Sequence, residues 1–475
     1  MSNFDLGPLT REAARPQWVR DRPFAPWAAV GAVCLGAFMG QLDASIVTLT
    51  YPRLQSEFTT GLGSVQWVSL SYLVVLAVLL VPVGRWADTA GRKLLYLYGF
   101  GLFSMASAAC ALAPTLGWLV AGRGLQAVGA ALLQANSVAL VVLSVPRSRV
   151  RTALGLQGAA QALGLAMGPT LGGVLVQAYG WRSVFWVNVP VGLAAILAGY
   201  VFVPRSRDLS QRHGSDRAGF ILLASAIVSS LLALSGLSGM PLPSAWVVGL
   251  CLVAVVTAVA FWHAEVRAQD PLVDIDLLRH GGLGALLAGA LLAYLLLFAP
   301  LVLYPSVFAT WGLGAAAGGL VLSCLPAGFA LAAVGTNMMH LPISNRQRVA
   351  VGALGVFACS VANIALWHSP GLVAVLLLLL GTFLGLVIPA NNAAAMSAVP
   401  PSASAVTGGM VNVARALGTA LGVAVTAMGL HIAALHHWVG SQVVFGALAV
   451  CSIALATTTL ARPGTSSQTS TSSQP

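Results

Sequence analysis

The chain has 475 residues, of which 58% are hydrophobic and only 7% charged, with 23 Lys and Arg against 12 Asp and Glu. Soluble domains carry about 25% charged residues, so this set cannot cover a water-exposed surface, and a mean hydropathy of +0.88 places the chain in a bilayer. The net charge of +11 would point to nucleic acid in a soluble protein, but here the few basic residues belong in loops at one membrane face. The six cysteines (Cys34, Cys110, Cys251, Cys324, Cys359, Cys451) all lie in apolar stretches without a CxxC pair. They read as small core hydrophobes and not as disulfides or metal ligands.

Residues 1–26 form a polar, basic tail without an apolar segment of its own. The expectation is therefore an uncleaved first span that serves as a signal anchor. A membrane-crossing helix needs about 20 mostly apolar residues. Candidate spans follow at 27–50, 66–84, 94–113, 116–144, 152–177, 183–203, 218–238, 244–263, 281–304, 315–339, 348–367, 371–395, 403–430 and 438–461. Residues 463–475 are rich in Ser, Thr and Gln and read as a disordered tail.

An even number of spans puts both termini on one side. With that side inside, the inner segments hold 19 of the 23 basic residues, from Arg11, Arg15, Arg20 and Arg22 through the Arg147–Arg151 cluster to Arg462. The outer loops hold two, Arg53 and Arg182. Basic loops resist translocation, so the expected topology has both termini cytoplasmic in the cell membrane. The longest polar stretches between spans, 204–217 and 264–280, bracket spans 7 and 8. The expected fold is all-α and integral to the membrane, with a 6+2+6 arrangement. It divides into a tail at 1–26, a six-helix bundle at 27–203, an inserted hairpin with its flanking loops at 204–280, a second bundle at 281–462 and the final tail at 463–475. Paired six-helix bundles around a central cleft are a common transporter plan.

Charges at bilayer depth cost several kcal/mol and need a reason. The only acid inside a span is Asp43; the bases are Arg123 and Arg415. At 1.5 Å per residue, Asp43 lies about 24 Å from the inner end of span 1 and Arg123 about 11 Å from the outer end of span 4. Their depths match, so they can pair, either as a packing device or as a titratable carboxylate held by an arginine. A lone acid in such a chain favours the second reading. Arg415 sits mid-span, and spans 9–14 hold no acid to neutralise it. Substrate anion, watery cavity and helix carbonyls remain open as its partner.

Six segments carry a resemblance. Gly84-Arg85-Trp86-Ala87-Asp88-Thr89-Ala90-Gly91-Arg92-Lys93 between spans 2 and 3 resembles the inner-loop signature of the major facilitator superfamily. Physically, Gly84 allows close helix approach, Gly91 permits a tight turn, and Asp88 can cap a helix or pair with arginine across the bundles. Arg123-Gly124-Leu125-Gln126-Ala127-Val128-Gly129 is similar to the superfamily's span-4 motif, and Gly164 to Gly173 resembles its antiporter motif. In the latter, Gly164, Gly168 and Gly172 form a close-packing stripe, followed by Pro169 and Gly173. Span 1 (Gln41 to Pro52), Trp181 to Pro190, and Asn412 to Gly418 resemble segments of the 14-span drug:proton antiporters.

The resemblance implies a secondary transporter that exports small lipophilic compounds, drugs or antibiotics, in exchange for protons. It implies proton coupling at Asp43 and Arg123 and a conformational latch at Gly84, Asp88, Gly91, Arg92 and Lys93. The missing acid in the second half favours an alternative, a dedicated exporter of one metabolite or biosynthetic product. Around Gly335 to Arg348 the second-half copy of the loop signature is degraded and lacks its aspartate.

Gln126, Asn136, Gln157, Gln161, Asn337, Asn412 and Arg415 are the candidate cleft residues, with Tyr72, Tyr294, Tyr304, Asn363, Asn391 and Asn392 as further polar groups at depth. His431, His436 and His437 lack neighbouring carboxylates or thiols, so no metal is expected. The sequence contains no GxxxxGK[ST] phosphate loop, GxSxG elbow or HExxH motif. An enzyme is not expected, nor any cofactor or nucleic-acid partner. The expected partners are a small-molecule substrate, protons and lipid, and the functional unit is a monomer.

Overall fold

The computed structural model describes residues 12, 14–20, 22–206, 217–268, 277–278, 282–338, 344–399 and 404–460, leaving aside the side chains of 217, 337–338, 404–405 and 459–460. The terminal tail at 463–475 lies outside the described residues, as do Arg11, Arg207, Arg212, Arg279, Arg462 and most of the degraded loop before Arg348.

Fourteen helices among the described residues are long and apolar enough to cross a membrane. The first six are α1 (Ala25–Glu57), α2 (Leu62–Ala90), α3 (Arg92–Ala111), α4 (Leu116–Ser144), α5 (Arg147–Tyr179) and α6 (Ser183–Phe202). Then come α7 (Ala218–Leu237) and α8 (Ser244–Arg267). The last six are α9 (Leu283–Thr310), α10 (Ala315–Thr336), α11 (Asn345–Ala365), α12 (Pro370–Ser397), α13 (Val406–Leu435) and α14 (Gly440–Thr458). Helices dominate because lipid offers backbone groups no partner, and only intrahelical bonds satisfy them within one segment.

Several helices run beyond the apolar stretches that announce them. α1 continues through Arg53 to Glu57, and α9 extends to Thr310, because a polar residue ends the lipid-compatible run without ending the helix. α1 is not uniform either: Val47–Thr50 is a 3-10 turn immediately before Pro52. Prolines also interrupt the hydrogen-bond ladder inside α2 (Pro82), α5 (Pro169), α9 (Pro300, Pro305) and α12 (Pro389).

Two main apolar cores hold the helices. One is drawn mostly from α1–α6, around Tyr96, Phe100, Phe103 and Phe185. The other comes mostly from α9–α12 and α14, around Phe298, Tyr304, Phe308 and Phe445. α7 packs against α2, α13 and α8, while α8 packs chiefly on α7 and leaves Trp246, Leu252 and Trp262 exposed. An apolar outer surface is what lipid requires.

The junction of α2 and α3, within the segment Gly84–Lys93, marks one face, here termed the basic face; the opposite end of the molecule is the far face. Toward the far face the two halves are sealed. Thr170 Oγ1 of α5 and Ser323 Oγ of α10 are 2.6 Å apart, and the Ala316 amide donates to Gln177 Oε1 at 2.9 Å. A side chain at Gly173 would collide with the Ala315 carbonyl, and one at Gly319 with the Pro169 carbonyl. Toward the basic face, a Cβ at Gly155 or Gly158 of α5, Gly335 of α10, or Gly408 or Gly409 of α13 would meet nothing within 4 Å. The two halves are thus joined by close backbone contacts at the far end.

Candidate functional site

The site begins with a buried ion pair. Asp43 on α1 and Arg123 on α4 are 0% and 1% exposed, and Arg123 Nη1 donates to Asp43 Oδ2 at 2.6 Å. The other carboxylate oxygen accepts from Gln126 Nε2 and from Asn188 Nδ2 of α6, each at 2.9 Å. Gln126 Nε2 also donates to Ser107 Oγ of α3 at 2.7 Å. Arg123 also donates from Nε to the Val68 carbonyl of α2 (2.9 Å) and from Nη1 to Gln126 Oε1 (2.5 Å). Its guanidinium carbon lies 4.3 Å from the centre of the Tyr72 ring and 5.8 Å from that of Phe185.

Five helices therefore converge on one carboxylate–guanidinium pair, and depth matching along α1 and α4 accounts for their meeting. A buried charge pair offsets its desolvation only when its other polar atoms are also satisfied, and Gln126, Asn188 and Val68 supply that here. Gln126, expected in the cleft, lies instead in this network and is fully buried. It sits three residues from Arg123 on the same helical face, and that spacing was the available signal. Asn188 was not singled out. Its depth, about 8 Å into α6 at 1.5 Å per residue, matches that of Arg123 and would have marked it.

Two connected cavities run from this pair into the cleft. The first, a narrow space, is lined by Arg123, Thr48, Ser69, Tyr72 and Phe298. The second, also narrow, shares Ala44, Tyr72, Leu73, Phe298 and Thr419 with it and continues to Gln41, Gln134 and Arg415. Asp43 itself lines neither; Arg123 and Tyr72 stand between its carboxylate and the open space.

Arg415 on α13 reaches across to the other half of the molecule. Its Nη2 donates to Gln134 Oε1 of α4 at 2.8 Å and its Nη1 to Gln161 Oε1 of α5 at 3.3 Å. Gln161 and Arg415, both expected in the cleft, are thus brought together. Gln134 was missed, because a single glutamine in an apolar helix gives no hint of which neighbour it faces. Asn136 is buried against its own helix, donating to the Leu132 carbonyl, and Gln157 is also buried; neither is among the residues lining the two cavities. Asn412 is half-buried. The Asn337 side chain lies outside the described residues. Asn363 accepts from the Tyr304 hydroxyl at 2.7 Å within the second core, and Asn391 donates to the Leu286 carbonyl; both serve packing.

At the basic face, Asp88 pairs with Arg92 within its own loop. The acid that caps α3 is Glu12: its carboxylate accepts from the Lys93 amide (2.8 Å), the Leu94 amide (3.3 Å) and the Ser206 amide (2.6 Å). This corrects the expectation that Asp88 caps a helix or reaches across the bundles; Arg92, one turn away, is nearer than either partner. Gly84 does not mediate close approach, since a Cβ there would meet open space, whereas Gly91 has φ +104° and does require glycine. Lys93 Nζ donates to the Tyr200 carbonyl at 2.9 Å.

The α5 stripe faces α1. A Cβ at Gly164 would collide with the Phe38 carbonyl, one at Gly168 with the Ser45 hydroxyl, and one at Gly172 would lie 2.6 Å from Ile46 Cγ1. α5 thus packs tightly on the α1 segment that carries Asp43, while Gly173 and Pro169 pack on α10.

Comparison with known proteins agrees with this architecture. The sequence model described as Major Facilitator Superfamily matches residues 33–423. The Mycobacterium tuberculosis multidrug resistance protein Stp is 31% identical over 399 residues, covering 83% of this chain and 74% of that protein. The Streptomyces coelicolor methylenomycin A resistance protein is 30% identical over 417 residues, 86% of each. Among solved structures, the POT family transporter PepTSo superposes with a TM-score of 0.66 at 14% identity, over 93% of this chain and 98% of that one. With its fourteen apolar helices, the chain is a multi-pass membrane protein that belongs to the Major Facilitator Superfamily.

Proposed function

We propose that this transporter exports small lipophilic compounds, drugs or antibiotics among them, in exchange for protons, with Asp43 as the proton-carrying group. The observation that carries the proposal is the buried Asp43–Arg123 pair beside cavities that open into the cleft. The relatives, named as resistance proteins for drugs and for methylenomycin A, support export as the direction.

In the form described here, Asp43 is held by three donors and screened from the cleft by Arg123 and Tyr72. A proton on Asp43 removes the charge that holds Arg123. The guanidinium still keeps the Val68 carbonyl, Gln126 Oε1 and the Tyr72 face. Weakening this pair loosens α1 from α4, and the α5 glycine stripe passes a shift of α1 directly to the α5–α10 seam that closes the far face. Coupling arises because substrate and proton favour different states. The α2–α3 loop, with the Asp88–Arg92 pair and Lys93, acts as the latch that closes when the cleft shuts at the basic face.

In this reading the basic face is cytoplasmic and the membrane is the cell membrane. The molecule works as a monomer built of the bundles 27–203 and 281–462 with the hairpin 204–280 between them. No acid stands anywhere between residues 277 and 475, and this favours a second reading, a narrow exporter of one metabolite.

The test is transport by purified protein in proteoliposomes under an imposed proton gradient, with a panel of lipophilic cations, neutral antibiotics and acidic metabolites. Gradient-driven movement of several unrelated compounds supports the drug exporter. Movement of one alone supports the narrow exporter, and movement that ignores the gradient contradicts both.

A further inference from the structure

We propose that Arg415, with Gln134 and Gln161, is the binding site for an anionic group on the substrate, so that the cargo is an amphipathic weak acid such as an aryl carboxylate. The proposal rests on the transport reading above and adds the charge class of the cargo.

The argument starts from an uncompensated cation. Arg415 is half-buried at membrane depth, and its described hydrogen-bond partners are the neutral oxygens of Gln134 and Gln161. A guanidinium withdrawn from water is costly unless an anion answers it. Its own half of the chain cannot supply one, since no acid occurs from residue 277 onward. Among the described residues up to 206, the acids are engaged elsewhere: Asp43 with Arg123, Glu57 with Arg182 and Trp181, Asp88 with Arg92, and Glu12 with the start of α3. The missing charge is therefore one that the substrate brings.

The surroundings suit such a ligand. Arg415 uses two hydrogen bonds of a group that carries five N–H donors in a planar fork matched to a carboxylate. The narrow space at its side is walled by Tyr72, Leu73, Leu76 and Phe298, an apolar lining with the cation at one edge. Gln41 and Thr419 add polar contacts. Tyr294 places its ring 6.0 Å from the guanidinium carbon. An aromatic ring bearing one acidic group matches the apolar lining and the charge, and it enters by displacing the side chains that now close this narrow space. An arriving anion also competes with Gln134 and Gln161 for Arg415. Those two bonds tie α13 to α4 and α5 across the cleft, so binding replaces a tie between the halves by a bond to cargo.

The test is equilibrium binding of radiolabelled 2-naphthoate to the purified full-length protein in detergent, corrected for protein-free micelles. Unlabelled 2-naphthoate, 2-naphthamide and tetraphenylphosphonium serve as competitors. The expected result is saturable 2-naphthoate binding that the amide displaces about tenfold less well than the acid. Arg415→Gln weakens it by about tenfold or more, the range of one charge-assisted contact. Arg415→Lys keeps the charge and retains most of the binding, which separates loss of the site from loss of the fold. The proposal is overturned if no saturable 2-naphthoate binding occurs, if the amide competes as well as the acid, or if Arg415→Gln binds like the wild type. The assay uses no gradient, so its outcome is independent of proton coupling. Gradient-driven efflux of cations without acid binding sinks this inference and leaves the transport reading intact. Acid binding without gradient-driven movement of any compound does the reverse.

Discussion

Replacing Arg123 by leucine removes one member of a pair that is 1% and 0% exposed. Asp43 then keeps Gln126 and Asn188 as donors but loses its counter-charge, while the Val68 carbonyl loses the donor Arg123 supplied. Breaking a buried pair from one side costs about 3–5 kcal/mol. An independent bound agrees: carrying an ordinary carboxyl, pKa ~3.9, as the neutral acid at pH 7 costs about 4 kcal/mol. Asp43→Asn should cost less, because Arg123 keeps two oxygen acceptors and two aromatic faces. The double variant Arg123→Leu with Asp43→Asn leaves no buried charge, and the pair should show a coupling of about 2 kcal/mol. Unfolding by SDS in mixed micelles, read by tryptophan fluorescence, measures all four proteins. Losses that simply add, or a larger loss for Asp43→Asn than for Arg123→Leu, would refute the reasoning.

Gly164→Val should lower stability by about 1–3 kcal/mol through overpacking and abolish transport, since its neighbour is the Phe38 backbone, which cannot step aside. Gly158→Ala, with nothing within 4 Å, should be neutral or stabilising by up to about 1 kcal/mol; thermal melts of the two compare them directly. Glu12→Ala removes the acceptor for three amides and should cost about 1 kcal/mol, seen as faster hydrogen exchange at Lys93 and Leu94. In a background without the six native cysteines, Ser148→Cys on the basic face should react with an impermeant maleimide only after the cell is opened, and Gly61→Cys on the far face before. The opposite pattern would invert the topology.

The architecture was legible because lipid simplifies the code: long apolar runs must be helices, and basic loops mark one side. The Asp43–Arg123 pair was legible because charges at depth are rare and 1.5 Å per residue locates them. Asn188, Ser107 and Gln134 were not weighed, since a lone neutral polar residue in an apolar helix does not declare its partner. That partner depends on how helices rotate and which face meets which. The Gly84–Lys93 loop was recognisable as a motif, yet its internal pairing was not, because Glu12, far away in sequence, takes the capping position that Asp88 can fill equally well on local grounds.

The central claim, that Asp43 carries the coupled proton, is tested most directly by trapping a pH-sensitive dye inside proteoliposomes and following proton movement as a transported compound is added. Wild-type protein should move protons against the direction of the compound and dissipate an imposed pH gradient. Asp43→Asn should bind the same compound yet move no protons. Proton movement that persists in Asp43→Asn at the wild-type rate would contradict the account and place the proton on another group.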